Sequence, residues 1–202
     1  MLSTWNTIIW CAYVYVAALC LSAPGLAQST EGAWSAVANI PGCTYWAPHK
    51  PYEDPAKTIP TTWSGACEDG HVHGHGTLVF KDRPSENGFM EGEFGHGRLS
   101  GLGTFEASTM LENGPFHFHY EGMFLNSVFH GRGVMLYEDG ARYEGEFKDG
   151  KVSGRGVAVL ANARRYEGVF KGGGLQGKGV LVYPNGNRYE GEFINSAING
   201  QG

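Results

Sequence analysis

From Trp63 onward, polar and apolar positions alternate in short runs that glycine punctuates. Tyr143-Glu144-Gly145-Glu146-Phe147 puts aromatic residues on one side and acids on the other, the period-two signature of a half-buried strand. Asp149-Gly150 follows, and an Asx-Gly pair supplies the positive φ values that a tight hairpin needs. Beyond Gly154 and Gly156, Val157-Ala158-Val159-Leu160 reads as a second strand, with Val134-Met135-Leu136-Tyr137 and Val180-Leu181-Val182-Tyr183 at equivalent places. Glu138-Asp139-Gly140 or Pro184-Asn185-Gly186 then turns the chain again. Two turns in each stretch leave no room for a helix, so the pattern predicts an all-β antiparallel meander with one hairpin per unit.

The units keep a fixed period. Tyr120, Tyr143, Tyr166 and Tyr189 each open a Tyr-Glu-Gly triplet and lie 23 residues apart; Met90 and Trp63 open related units upstream. Counting each opening residue as position 0, glycine is expected at +2, +7, +11 and +13. Across six units it fills 22 of these 24 places, the exceptions being Ser127 and Ser196 at +7. Residues 0, +2 and +4 share one strand face, so Tyr143, Gly145 and Phe147 point the same way. The bare +2 position leaves room for rings from neighbouring strands. Stacking the units predicts a core row of Phe124, Phe147, Phe170 and Phe193 that no single unit could bury.

The run YEGEFKDGKVSGRGVAVL resembles the membrane occupation and recognition nexus (MORN) repeat. The resemblance covers residues 63–202, in six units starting at 63, 90, 120, 143, 166 and 189. Insertions near Lys81–Phe89 and Ser108–His119 interrupt the first two units, and the last stops at its +13 position, before its second strand. It implies an elongated, twisted, single-layer sheet of stacked hairpins. MORN repeats accompany kinase domains in phosphatidylinositol phosphate kinases and a catalytic domain in some lysine methyltransferases. The 62 residues before Trp63 are too few for either, so no enzyme is expected.

Those earlier residues divide in two. No charged side chain occurs in the first thirty, and Ile8–Leu21 is a 14-residue apolar run, short for a bilayer span but suited to a secretory signal peptide. Small residues Gly25 and Ala27 suggest cleavage after Ala27 and a periplasmic or secreted protein; no Lys or Arg precedes the run, and an uncleaved amino-terminal membrane anchor is the alternative. Residues 28–62 hold five of the nine prolines (Pro41, Pro48, Pro51, Pro55, Pro60) and read as an irregular cap segment. Cleavage would discard Cys11 and Cys20. In an oxidising compartment the remaining Cys43 and Cys67 read as one disulfide, with two free thiols as the alternative. Cys67 stands where later units carry phenylalanine, so this link would pin the cap over the open end of the core.

Composition narrows the chemistry. Glycine supplies 32 of 202 residues without the collagen period, and 42% hydrophobic residues are too many for a disordered linker. A net charge of −5 argues against a nucleic-acid partner. His71, His73 and His75, with His117 and His119, suggest a metal site because alternate histidines on a strand can face one ion; His73 and His130, however, occupy +10, where MORN units commonly carry histidine, and no acid or thiol adjoins the run. Gly172–Lys178 imitates a phosphate-binding loop, yet Gly179 replaces the required hydroxyl residue and the segment lies in a hairpin. No catalytic residue, cofactor site or metal ligand set is assigned. Two basic rows remain: Arg142, Arg165 and Arg188 at −1, and Arg132, Arg155 and Lys178 at +12. Stacked, they could meet acidic phospholipid head groups, although Glu144, Glu167 and Glu190 share the face of the first row and cross-strand pairing would neutralise it. The expectation is a non-catalytic exported scaffold for a protein partner, with lipid binding and histidine-rich metal binding as alternatives. The open carboxy-terminal sheet edge is a candidate contact for a second copy.

Overall fold

The computed structural model describes residues 33–47, 59–83, 86–111, 114–200 and 202. The apolar run Ile8–Leu21, the expected cleavage site, Cys11, Cys20 and Pro48, Pro51 and Pro55 lie outside them. The described residues form fifteen strands and no helix: β1 (Ala33–Ala36), β2 (Thr44–Ala47), β3 (Ile59–Trp63), β4 (Ala66–Glu68), β5 (His71–Arg83), β6 (Glu86–Gly95), β7 (Arg98–Leu111), β8 (Gly114–Leu125), β9 (Val128–Tyr137), β10 (Arg142–Lys148), β11 (Lys151–Val159), β12 (Arg165–Lys171), β13 (Gly174–Val182), β14 (Arg188–Ile194) and β15 (Ala197–Asn199). From β5 to β15 each strand pairs antiparallel with the next, giving the expected meander. Strand β2 joins β5 through one parallel bridge, Thr44 to His71, while β3 and β4 share the free edge of β5 as a broken first strand of the first unit. Both insertions lengthen hairpins: β5 and β6 pair out to Arg83 and Glu86, and β7 and β8 out to Leu111 and Gly114.

The second strand of each unit starts earlier than the residue pattern suggests. β11 begins at Lys151, directly after the turn, and contains Gly154 and Gly156, which the pattern places before the strand. The last unit correspondingly has a short second strand, β15, paired to β14. Glycine is poor in intrinsic strand propensity, but here its backbone pairs in register and tertiary packing overrides the preference.

That packing rests on a glycine ladder. The +2 and +13 glycines of successive strands oppose one another in unbroken order: Gly76, Gly92, Gly103, Gly122, Gly133, Gly145, Gly156, Gly168, Gly179 and Gly191. The ring lying over each pair comes from the unit's own opening residue, where the pattern suggests a neighbouring strand. A Cβ built on Gly156 would meet Tyr143 Oη at 2.4 Å, and one on Gly133 would meet Tyr120 Oη at 2.5 Å. Trp63 covers Gly65 and Gly76 in the same way, whereas Leu99 and Leu175 take the place of the ring over Gly92 and Gly168.

Phe124, Phe147, Phe170 and Phe193 are all at least 97% buried, as the expected core row requires. They do not stack directly on one another. Tyr120 meets Phe147 edge-on at 5.0 Å, Tyr143 meets Phe170 at 5.2 Å and Tyr166 meets Phe193 at 6.4 Å, so tyrosine and phenylalanine interleave along the array. Edge-to-face contact suits the ring quadrupoles better than a face-to-face stack. Tyr120 and Tyr143 donate their hydroxyls to the carbonyls of Met123 and Glu146.

The turns add a second lattice. Asp149 and Gly150 have φ of 51° and 76°, the double positive of a type I′ hairpin. The N–H at each +7 position donates to the +9 carbonyl of the preceding unit: Gly97 to Val72, Ser127 to Leu99, Gly150 to Phe129, Gly173 to Val152 and Ser196 to Leu175. The two exceptions to glycine have a purpose. Ser127 Oγ accepts from Leu99 N–H at 3.1 Å and Ser196 Oγ from Leu175 N–H at 2.9 Å, making each contact reciprocal.

Cys43 and Cys67 are joined as a disulfide, with Cα atoms 6.0 Å apart. The bond holds the β1–β2 hairpin beside the turn ends of the first two units: Thr44 N–H donates to Gly70 O and Trp46 N–H to Gly97 O. Asn39 completes the join by exchanging two amide hydrogen bonds with the Trp63 backbone, as another peptide group would.

Candidate interaction face

One sheet face carries the core and the other faces outward, so strand parity assigns every outward residue. Two bands cross it. In the first, Glu144 is opposed by Val134 and Val157, and Arg142 by Leu136 and Val159; the next unit repeats this arrangement, and in the last Glu190 and Arg188 are opposed by Val180 and Val182 on one side. The arginines pair along their own strands rather than across them: Arg142 to Glu144 at 2.6 Å, Arg165 to Glu167 at 2.7 Å and Arg188 to Glu190 at 2.6 Å. Cross-strand neighbours are aliphatic, so the acid two residues on is the partner within reach. The pairs are half exposed and contribute little stability, but they neutralise this band.

The second band, at +3 and +12 toward the turns, differs. Arg132, Arg155 and Lys178 are exposed, and none has an ion pair within 4.0 Å among the described residues. Each unit adds two strands, so these cations recur about every 10 Å along the sheet. Arg132 faces Glu146 and Lys178 faces Glu192 in register, while Arg155 faces Val169. Glu146 instead accepts the backbone N–H of Arg155 at 3.3 Å. Beside this band, Lys148 and Lys151 stand directly opposite one another across the turn. A shallow depression lies here, lined by His130, Arg132, Glu146, Lys148 and Ser153.

Toward the amino-terminal side the same band becomes apolar. Leu102 is 75% exposed and opposes Met123; Leu125, two residues further along β8, is also exposed. The residue pattern contains this signal, since +3, +5 and +12 point away from the core.

His71 and His73 make separate contacts, whereas His117 and His119 share one acid. His71 Nδ1 lies 2.8 Å from Thr44 Oγ1, with its ring on Trp34. His73 Nε2 is 3.0 Å from Glu68. Glu106 lies between His117 and His119, at 3.8 and 3.5 Å, and Ser108 Oγ is 2.7 Å from His117 Nδ1. Among the described residues no three His, Cys, Asp or Glu side chains are grouped to hold a metal ion. Burial pushes the hydroxyls of Tyr120 and Tyr143 well above the usual tyrosine range and raises that of Tyr166; for Tyr137 burial is joined by the Asp139 carboxylate. Such groups stay protonated near neutrality and hold the core together.

Comparison with known families matches the MORN repeat six times, at residues 68–83, 91–108, 120–142, 143–162, 166–188 and 189–202. Comparison with curated proteins gives no match.

Proposed function

The chain belongs to the MORN repeat family, and from that premise we propose that it is a non-catalytic, exported scaffold that holds a protein partner on the outward face of its sheet. The exposed Leu102–Met123–Leu125 patch carries this reading, because neighbouring exposed apolar side chains, with Leu102 75% exposed, mark a contact surface. Export is supported by the apolar run Ile8–Leu21 and by the Cys43–Cys67 disulfide, which persists in an oxidising compartment. The test is a pull-down from an exporting host with the parent chain and with a Leu102→Ser/Met123→Ser variant, with and without reductant. Loss of the captured protein with the serine variant is the expected result; equal capture by both would remove the patch from the interface and refute the reading.

A second reading, binding to acidic phospholipids, is favoured by the exposed Arg132, Arg155 and Lys178. It predicts salt-sensitive sedimentation with phosphatidylserine vesicles. Reversing these three charges should abolish that binding. Replacing the ion-paired Arg142, Arg165 and Arg188 with alanine should weaken it less.

A further inference from the structure

Building on the scaffold reading, we propose that the partner segment is an extended acidic peptide with an apolar anchor, lying along the turn-side band from the Leu102 patch onto the cations of units three to five. The first ground is local repulsion. Lys148 and Lys151 occupy directly opposed positions at the end of a hairpin, an arrangement that costs stability unless an anion lies nearby. The acids of the region are Glu146, Asp149 and Glu192. Asp149 is the turn residue between the two lysines, and Glu146 accepts a backbone N–H. Against these three stand Arg132, Lys148, Lys151, Arg155, Lys171 and Lys178, all exposed.

The second ground is shape. The shallow depression beside Lys148 is also lined by His130, Arg132 and Ser153 together with Glu146, so cations and donors outnumber the one acid there. The third is continuity: Met123 lies against the strand carrying that depression, its Cβ 3.2 Å from where a Cβ on Gly131 would sit. Charge and apolar contact therefore adjoin on one side of the sheet, while the neighbouring band is neutralised by its own ion pairs. A peptide carrying both carboxylates and an apolar side chain satisfies both parts.

The test is fluorescence anisotropy on the full chain with a labelled peptide of alternating glutamate and leucine. A lysine-for-glutamate version serves as control, and phosphatidylserine vesicles are run in parallel. The acidic peptide is expected to bind and to weaken with added salt. Lys148→Glu/Lys151→Glu should cost at least tenfold in affinity, as two lost attractive contacts become repulsive. Leu102→Ser/Met123→Ser should also weaken binding. All these positions are exposed, and circular dichroism of the variants checks that the sheet persists. If the lysine peptide binds equally well, or charge reversal leaves affinity unchanged, the proposal is wrong. If only the serine variant loses binding, the acidic partner is excluded while the apolar scaffold reading survives. Binding to vesicles but not to peptide would overturn the proposal in favour of a lipid ligand.

Discussion

Replacing Gly156 with alanine puts a methyl group where the ring of Tyr143 lies. The new Cβ would sit 2.4 Å from Oη, 2.6 Å from Cζ and 2.7 Å from Cε2. Carbon atoms rest at about 3.5–4.0 Å, so the ring must retreat by roughly 1 Å. It has little room, being 5% exposed and held edge-on between Phe147 and Phe170 at 5.2 Å each. Overpacking of this kind costs about 1–3 kcal/mol. Pulling the hydroxyl off the Glu146 carbonyl adds about 1 kcal/mol, and disturbing two ring contacts adds about 0.5–1.5 kcal/mol each. Gly156 does not have a positive φ, so alanine returns about 0.4–1 kcal/mol by restricting the unfolded chain. The expected net loss is about 2–6 kcal/mol, a large share of the stability of an ordinary domain. Urea unfolding followed by intrinsic fluorescence measures it, and a double-mutant cycle with Tyr143→Ala isolates the ring. In the Tyr143→Ala background the Gly156→Ala cost should fall below about 1 kcal/mol. An unchanged cost in that background would show that the ring does not dictate glycine at +13.

Other consequences are equally testable. Ser127→Ala removes the acceptor of a buried hydrogen bond from Leu99 N–H and should cost about 1–2 kcal/mol by urea denaturation. Ala163 has φ of 59°, where glycine stands at the corresponding turns; Ala163→Gly should therefore raise stability by about 1 kcal/mol, read as a higher unfolding midpoint. Removing the disulfide with Cys43→Ser/Cys67→Ser opens a link of sequence separation 24 and should cost about 3 kcal/mol, with hydrogen exchange rising first in β1 and β2. The tyrosine shifts set the alkaline limit. Tyr120, Tyr137, Tyr143 and Tyr166 have folded-state pKa values above the ordinary 10.0, so the neutral form is favoured by folding. That stability is fully present below pH 10 and is lost as pH rises toward the folded values. Part of the tyrosinate absorbance of the ten tyrosines should appear only with the loss of β-sheet circular dichroism above pH 10; full tyrosinate absorbance while the sheet persists would contradict the burial argument.

Much of the fold was legible in the chain because its determinants are local. Period-two alternation at Tyr143–Phe147 fixes a strand and a buried side, and Asp149-Gly150 fixes a two-residue turn, with no distant contact needed. The Cys43–Cys67 pairing followed from the expected cleavage after Ala27, which would leave two cysteines with one intramolecular choice. The second strands start earlier than the pattern suggests, because glycine has no side chain with which to announce a pattern. Gly154 and Gly156 look like loop residues until the facing glycines bring the backbones together. The candidate face was harder still. The residues at −1 and +12 looked alike as two basic rows, yet one row is neutralised along its own strand and the other is not.

The sequence by itself determined that this is a β-meander of six repeats, where its turns fall and which residues face the core, because each follows from spacing and local backbone chemistry. Tertiary structure alone decided what the glycines at +2 and +13 are for, how tyrosine and phenylalanine interleave, and which outward cations remain unpaired. Those outcomes depend on inter-strand register, and register arises only when every unit packs against the next.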